Sequence, residues 1–372
     1  MRVNGIELRR VRLRFRAPFR SARAVETWRE VLLVRVETTD GVGWGECAAP
    51  AAPTYTAEYV EGAALVLRSL LVPRLLAAAG AAVGADDVAP ALAGVRGHPM
   101  AKAALEMALL DAELRAAGVA LADRLGATRT TVDAGVAVGM SGSIGALLDE
   151  VAAALDEGYR RVKLKIAPGW DVEPVRAVRE RFGDGVVLQA DANGAYRLAD
   201  AERLAGLDPF GLALIEQPLA PDDLVGSAEL ARVLRTPVCL DESITSAEVA
   251  AGALAMGAAS VVNVKPGRVG GYLEARRVHD TCVAAGVAVW CGGMFETGLA
   301  RSANLALAAL PGFILPGDLC PPSRYLDGDL VAPIEARLGQ LTVPRQPGVG
   351  ADVLPDALAE YTVSVERLPV PG

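Results

Sequence analysis

The first part of the chain alternates. In IELRRVRLRF (6–15) and VLLVRVETTDGVGWGE (31–46), apolar and polar residues exchange places with the period of two of a half-buried strand, and Asp40-Gly41 marks a hairpin turn. APFRSARAVETW (17–28) has no clear period and reads as a loop. From about Ala57 to Ala117 the period lengthens to that of helices, as in MAKAALEMALLDAELRAAG. Beyond this the pattern changes and repeats. The valine-rich runs VDAGVAVG, VKLKI, VVLQADAN, LALIEQP, VCLDES, VVNVKP and VAVWCGGM are each followed by an amphipathic stretch. In DVEPVRAVRERFG, Asp171 can cap a helix, Pro174 lies near its first turn, Val175, Val178 and Phe182 share a face, and Gly183 stops it. A strand-helix unit repeating about every 25 residues predicts parallel strands with crossover helices. Seven or eight such units point to a closed (β/α) barrel, although an open doubly wound sheet shares the local pattern. The expected organisation is an α+β capping domain over 1–125, an α/β barrel over 126–319, and a segment over 320–372 that packs back on the capping domain.

Composition removes several classes of function. A net charge of −8 leaves no basic face for nucleic acid. No run of 18 apolar residues occurs, so no membrane span is expected, and the opening MRVNGIELRRVRLRF alternates rather than forming an apolar signal core. Five scattered cysteines without a C-x-x-C pair, and only two histidines, His98 and His279, argue against a zinc site or disulfide framework. A cytoplasmic location is expected. Cys239 and Cys291 read as core packing, and His279 as an ordinary outer-helix residue. Lysine is scarce: of 37 basic residues only Lys102, Lys163, Lys165 and Lys265 are lysines. Arginine cannot give up its proton in a protein and lysine can, so lysines kept in such a background are candidates for proton transfer. Lys102, in a helical stretch, reads as a surface charge.

The strand ends carry the chemistry. Asp191 (QADAN), Glu216 (LIEQP) and Asp241 (CLDES) are each 25 residues apart; Lys165 stands 26 before the first and Lys265 24 after the last. Five ionisable residues thus hold equivalent places on consecutive strands, at the C-terminal ends where barrels build active sites. Three carboxylates so placed would repel one another without a cation, and hard oxygen donors suit Mg²⁺, with Mn²⁺ or another divalent ion as alternatives. The lysines come from the second and sixth strands, which face each other across an eight-stranded ring. A metal-bound carboxylate substrate would have one lysine on each face. Such a metal stabilises the enediolate formed when the α-proton leaves. A lysine beside the metal and another cation would have a lowered pKa and serve as base.

With these motifs the chain resembles the enolase superfamily, within it the muconate-lactonizing-enzyme subgroup, and most closely the o-succinylbenzoate synthase / N-succinylamino acid racemase branch. The K-x-K of VKLKI, DAN, IEQP, LDES and NVKPGRVGG follow that family's order and spacing, and the resemblance extends over essentially the whole chain. It implies a modified barrel of (β/α)7β type under an α+β cap. Asp191, Glu216 and Asp241 would hold Mg²⁺, with Asn193 and Glu242 behind them. Lys165 would be the base in synthase chemistry, and Lys265 would stabilise the enediolate or act as second base. Lys163 would bind the substrate carboxylate and depress the pKa of Lys165, and Arg268 would favour the neutral form of Lys265. Substrate contacts would come from Phe19, Arg20, Tyr55, Gly293, Met294 and Phe295. Ala137 and Phe295 depart from the expected serine and aliphatic residue and bear on the side-chain pocket. The implied activity is synthesis of o-succinylbenzoate by dehydration in menaquinone biosynthesis, racemisation of N-succinylamino acids, or both. Dipeptide epimerase, muconate cycloisomerase and a catalytically silent binding barrel are the rival readings. The expected partner is a small-molecule carboxylate, and a homo-oligomer is expected.

Overall fold

The computed structural model describes residues 1–79 and 82–370. Strands β1 (Val3–Arg20), β2 (Val25–Thr38) and β3 (Gly41–Cys47) form an antiparallel sheet. The loop expected over 17–28 is instead the far end of the β1–β2 hairpin, where Phe19 pairs with Glu26 and Arg20 with Val25. The register shifts between Arg14 and Phe19, and Pro18 lies in this stretch and cannot donate to a ladder. That irregularity hides the period in the sequence. The hairpin turns at Ser21–Ala24, where the Ser21 N–H donates to the Ala24 carbonyl (2.9 Å). The helix Pro99–Ala117 lies directly on β3. Gly43 and Gly45 make this approach possible, because a Cβ there would collide with the carbonyls of Ala108 and Ala104.

The second part is a parallel sheet in sequential order: β4 (Val136–Val138), β5 (Arg161–Lys165), β6 (Val187–Asp191), β7 (Leu214–Glu216), β8 (Val238–Leu240), β9 (Val261–Val264) and β10 (Ala288–Cys291). The helix expected after β5 spans Val172–Phe182, with Asp171 accepting from the Val172 N–H and Gly183 at its end. The ring closes through an irregular eighth segment. Phe313 bridges Val289 of β10, and Gly317 bridges Ala134 just before β4, both in parallel sense. Pro316 keeps this segment from being a regular strand, which is why no eighth unit is legible in the sequence. Leu214, Cys239, Val261 and Trp290 pack together inside, so Cys239 is a core residue as expected, and Cys291 is buried too. After the barrel, β11 (Thr362–Leu368) pairs antiparallel with β1. No helix among the described residues is long and apolar enough to cross a membrane.

Two expectations for single residues change. His279 is buried: its ring stacks on Phe313, and its Nε2 accepts from the Gly312 N–H (3.1 Å). Lys102 is half-buried and donates to the Val95 carbonyl (2.6 Å).

The two parts meet across buried carboxylates. Glu106, on the helix Pro99–Ala117, accepts from the backbone of Tyr272 (2.5 Å) and Leu273 (3.2 Å), the first residues of the barrel helix Tyr272–Ala284. Burial pushes the Glu106 carboxyl up to about 8, and Asp86 and Glu274 add to it. A carboxyl whose pKa is raised on folding binds its proton more tightly in the native state. It therefore contributes stability at low pH, and that contribution is lost as pH rises from the ordinary carboxylate range through about 8. One such group changes stability by at most about 1.4 kcal/mol per pH unit. Thermal melts of wild type and Glu106→Gln between pH 6 and pH 9 should show wild type losing several degrees more than the variant. Parallel melting curves across that range would disprove the assignment.

Candidate active site

The rim of the barrel turns a sequence spacing into a row of charges. Lys165 ends β5, Asp191 ends β6 and Glu216 ends β7; Asp241 and Lys265 directly follow β8 and β9. Lys165 is in register with Asp191, and Asp191 with Glu216. In parallel strands such residues stand about 5 Å apart and point the same way. Lys163, two residues before Lys165, shares its face one layer deeper.

Each ammonium meets carboxylates. Lys165 donates to Asp191 Oδ2 (2.5 Å) and Asn193 Oδ1 (2.8 Å). Lys265 donates to Asp241 Oδ2 (2.8 Å) and the Tyr55 hydroxyl (3.1 Å), with its ammonium 4.8 Å from the Tyr55 ring centre. Arg268 is fully buried and bonds Asp241 Oδ1, the Ile244 carbonyl (2.7 Å) and the Asn263 carbonyl (2.5 Å). Asn193 donates to Glu242 Oε1 (3.0 Å) and adopts a left-handed backbone with φ of 45°. Lys163 reaches Glu216 Oε2 (2.6 Å), Asp318 Oδ2 (2.5 Å) and Asp191 Oδ2 (3.2 Å), and sits over Trp290.

A bound divalent metal and Arg268 were expected to lower the pKa of Lys265; the protein's own groups, taken together, act the other way. Burial does act downward on Lys265, but Asp241, Tyr55 and Glu216 outweigh it and hold the ammonium well above its ordinary value. Arg268 opposes them, in the expected sense, but more weakly. Burial likewise lowers Lys163, and Asp318, Glu216 and Asp191 more than reverse it. Among the acids, burial opposes the charge on Asp241, yet Lys265 and Arg268 hold it well below the carboxylate range. Glu216 goes the other way: burial and then Asp191 push it up to about 8. Glu242 is pushed up to about 7 by burial and by Asp241 and Asp191.

A cavity of about 100 Å³ lies above this layer. Phe19, Tyr55, Lys165, Asn193, Lys265, Gly293, Met294 and Phe295 line it, so residues named from distant parts of the sequence meet around one space. Arg20 does not line it; its side chain is exposed and borders a separate outer groove. Lys163 lies beneath the cavity, occupied by three carboxylates, where the resemblance placed it against the substrate. Residues the sequence did not single out complete the site. Arg23 and Arg29 line the cavity from the hairpin. Arg29 is buried, and its Nε has no partner among the described residues. Asp318, at the end of the irregular eighth segment, bridges Lys163 and Arg161 Nη1 (2.6 Å). Phe295 has a left-handed backbone, φ of 55°, and its ring packs edge-on against Phe15, Phe19 and Tyr325 at 4.8–5.1 Å.

The acidic set has the chemistry of a hard-cation site. Three acceptor-only carboxylates come from adjacent strands, Glu216 is burdened by its neighbours, and buried Glu242 Oε2 has no partner among the described residues. As the side chains stand, ammonium and guanidinium groups take the oxygens, and among the described residues no three acidic, histidine or cysteine side chains are grouped to hold an ion.

Residues 5–126 match the mandelate racemase / muconate lactonizing enzyme N-terminal domain, and residues 146–357 match the enolase C-terminal domain-like family. The chain is 57% identical to an N-succinylamino acid racemase of an Amycolatopsis species, covering 98% of both chains. It is 43% identical to an o-succinylbenzoate synthase of Geobacillus kaustophilus, covering 97% of this chain and 96% of the other. Among solved structures, an enolase-superfamily member from Listeria innocua superposes with a TM-score of 0.94 at 34% identity over the full length of both chains.

Proposed function

The chain belongs to the enolase superfamily, in its mandelate racemase / muconate lactonizing enzyme group, and from that membership we propose that it removes the proton α to a substrate carboxylate. The observation that carries this reading is the pair Lys165 and Lys265, which face one cavity from separate strands above three buried carboxylates. In this reading Asp191, Glu216 and Asp241 would hold Mg²⁺, or Mn²⁺ or another divalent ion, with Asn193 and Glu242 orienting them. Such a cation, when bound, supplies a Lewis acid for the substrate carboxylate and competes with the ammoniums for Asp191 and Asp241. Lys165 takes the α-proton from one face. Lys265, held charged by its surroundings, faces the developing negative charge of the enediolate from the other. If Lys165 acts twice, the outcome is elimination; if Lys265 returns the proton, it is racemisation. Lys163, itself held by Asp318, holds Asp191 and Glu216 from below. Arg23 and Arg29 add positive charge on the hairpin side, which suits a substrate with a second anionic group.

The near full-length likeness to an N-succinylamino acid racemase and an o-succinylbenzoate synthase supports one of those two reactions, or both, at this site. The test is exchange of the α-proton with solvent deuterium on N-succinylamino acids, alongside dehydration of the synthase substrate, each with Mg²⁺ and with chelator. We expect exchange or dehydration that chelation abolishes. Neither activity in the presence of Mg²⁺, with ligand binding retained, would mean that the barrel only binds.

A further inference from the structure

The contacts between capping domain and barrel converge on the two loops that carry the far side of the cavity. The loop after β9 bears Lys265 and Arg268 and ends at Gly271, where the helix Tyr272–Ala284 begins. Gly271 has no side chain with which to cap that helix, and Glu106 of the capping domain supplies the acceptor instead. The fit is close. Gly271 has φ of 143°, and a Cβ there would overlap the Glu106 carboxylate.

The loop after β10, with Gly293, Met294 and Phe295, is tied in the same way. It ends at Thr297, where the helix Gly298–Ala308 begins. Glu46, at the end of β3, accepts from the Thr297 N–H (3.0 Å), the Thr297 hydroxyl (2.5 Å) and the Ala300 N–H (3.4 Å). A further chain of bonds joins the two loops. Tyr272, whose N–H is held by Glu106, donates its hydroxyl to Asn304 Oδ1 (2.9 Å). Asn304 donates to Glu296 Oε1 (2.9 Å), which also accepts the Met294 N–H (2.8 Å). Every member of this chain except Met294 is buried. One connected path therefore runs from the capping helix to the cavity wall.

We propose that Glu106, seconded by Glu46, is a positioning residue: it sets the placement of Lys265 and of the Met294–Phe295 wall by capping barrel helices from the other domain. The proposal rests on the proton-transfer function above. Lys165 stands on β5, remote from both capped helices, so loss of Glu106 acts on one face of the substrate. A displacement of about 1 Å can cost up to about a hundredfold in rate. The experiment follows α-proton exchange in D₂O for each enantiomer of an N-succinylamino acid separately, with wild type, Glu106→Ala and Glu106→Gln. In Glu106→Ala, exchange of one enantiomer should fall about ten- to a hundredfold further than that of the other. Glu106→Gln, which keeps an acceptor oxygen at the same reach, should restore most of the difference. Should Glu106→Ala not accumulate as folded protein, Glu106→Asp, one methylene shorter, carries the same expectation. Equal loss for both enantiomers, or no loss, overturns the proposal while leaving the function intact. Wild-type protein that exchanges neither enantiomer overturns this proposal, and the functional reading falls with it only if dehydration of the synthase substrate is absent too.

Discussion

Replacing Lys165 with alanine is expected to lower kcat for dehydration and for racemisation by about 10²–10⁴-fold, the usual contribution of a positioned acid or base. The fold should survive. Asp191 keeps Lys163 at 3.2 Å, and Asn193 keeps its bond to Glu242. Lys165→Arg is the sharper version: it retains positive charge near Asp191 but cannot deprotonate, so it should be as inactive as the alanine variant. Steady-state rates with purified variants, paired with thermal melts, decide the matter. An arginine variant within tenfold of wild type would show that charge, not proton transfer, is what Lys165 supplies.

The second large effect is on stability. Asp241 is the shared counter-charge of Lys265 and Arg268, both buried, and it accepts from Tyr55 as well. Asp241→Asn would leave two buried cations around a neutral amide. Breaking a buried ion pair in this way typically costs about 3–5 kcal/mol. Activity should vanish, and the melting temperature should fall by several degrees even in chelator, where loss of metal plays no part. Glu216→Gln should cost much less, because burial and Asp191 push the Glu216 carboxyl up to about 8 and its charge contributes little in that site. Melts of both variants in chelator make the comparison, and a larger loss for Glu216→Gln than for Asp241→Asn would contradict this account of the charges.

The rim charges were legible in the sequence for a simple reason. Parallel strands in register convert a spacing of about 25 residues into adjacency, so Lys165, Asp191, Glu216, Asp241 and Lys265 announce themselves along the chain. What the sequence hid was whatever depends on irregular backbone or on through-space pairing. Asp318 escaped notice because Pro316 breaks the strand pattern before it. Arg23 lies on a hairpin arm that reads as a loop, and Arg29 stands just past that stretch. Arg20 was close in sequence to the right residues, yet it borders the outer groove instead of the cavity. The carboxylates that hold the Lys265 ammonium above its ordinary value act through space and leave no mark in the spacing. The glycines of GVGWGE and GRVGG make sense only in three dimensions. Gly43 and Gly45 seat a helix, and Gly271 admits a carboxylate from the other domain.

The pairing of β1 with β11 has a consequence for how the protein is made. Ile6 lies opposite Leu368, and Val11 opposite Thr362, so the two strands are separated by nearly the whole chain. On the ribosome β1, β2 and β3 emerge before the barrel and can form their sheet early, but the fourth strand, β11, follows the whole barrel. Until β11 emerges, β1 presents a bare hydrogen-bonding edge, the feature most open to pairing with a stray strand. Its sequence meets that hazard with charge: Glu7, Arg9 and Arg10 lie in the stretch that β11 later covers. Charged side chains along an edge discourage a second strand from joining it. The charges of a strand that read as half-buried thus also guard the nascent chain until β11 arrives.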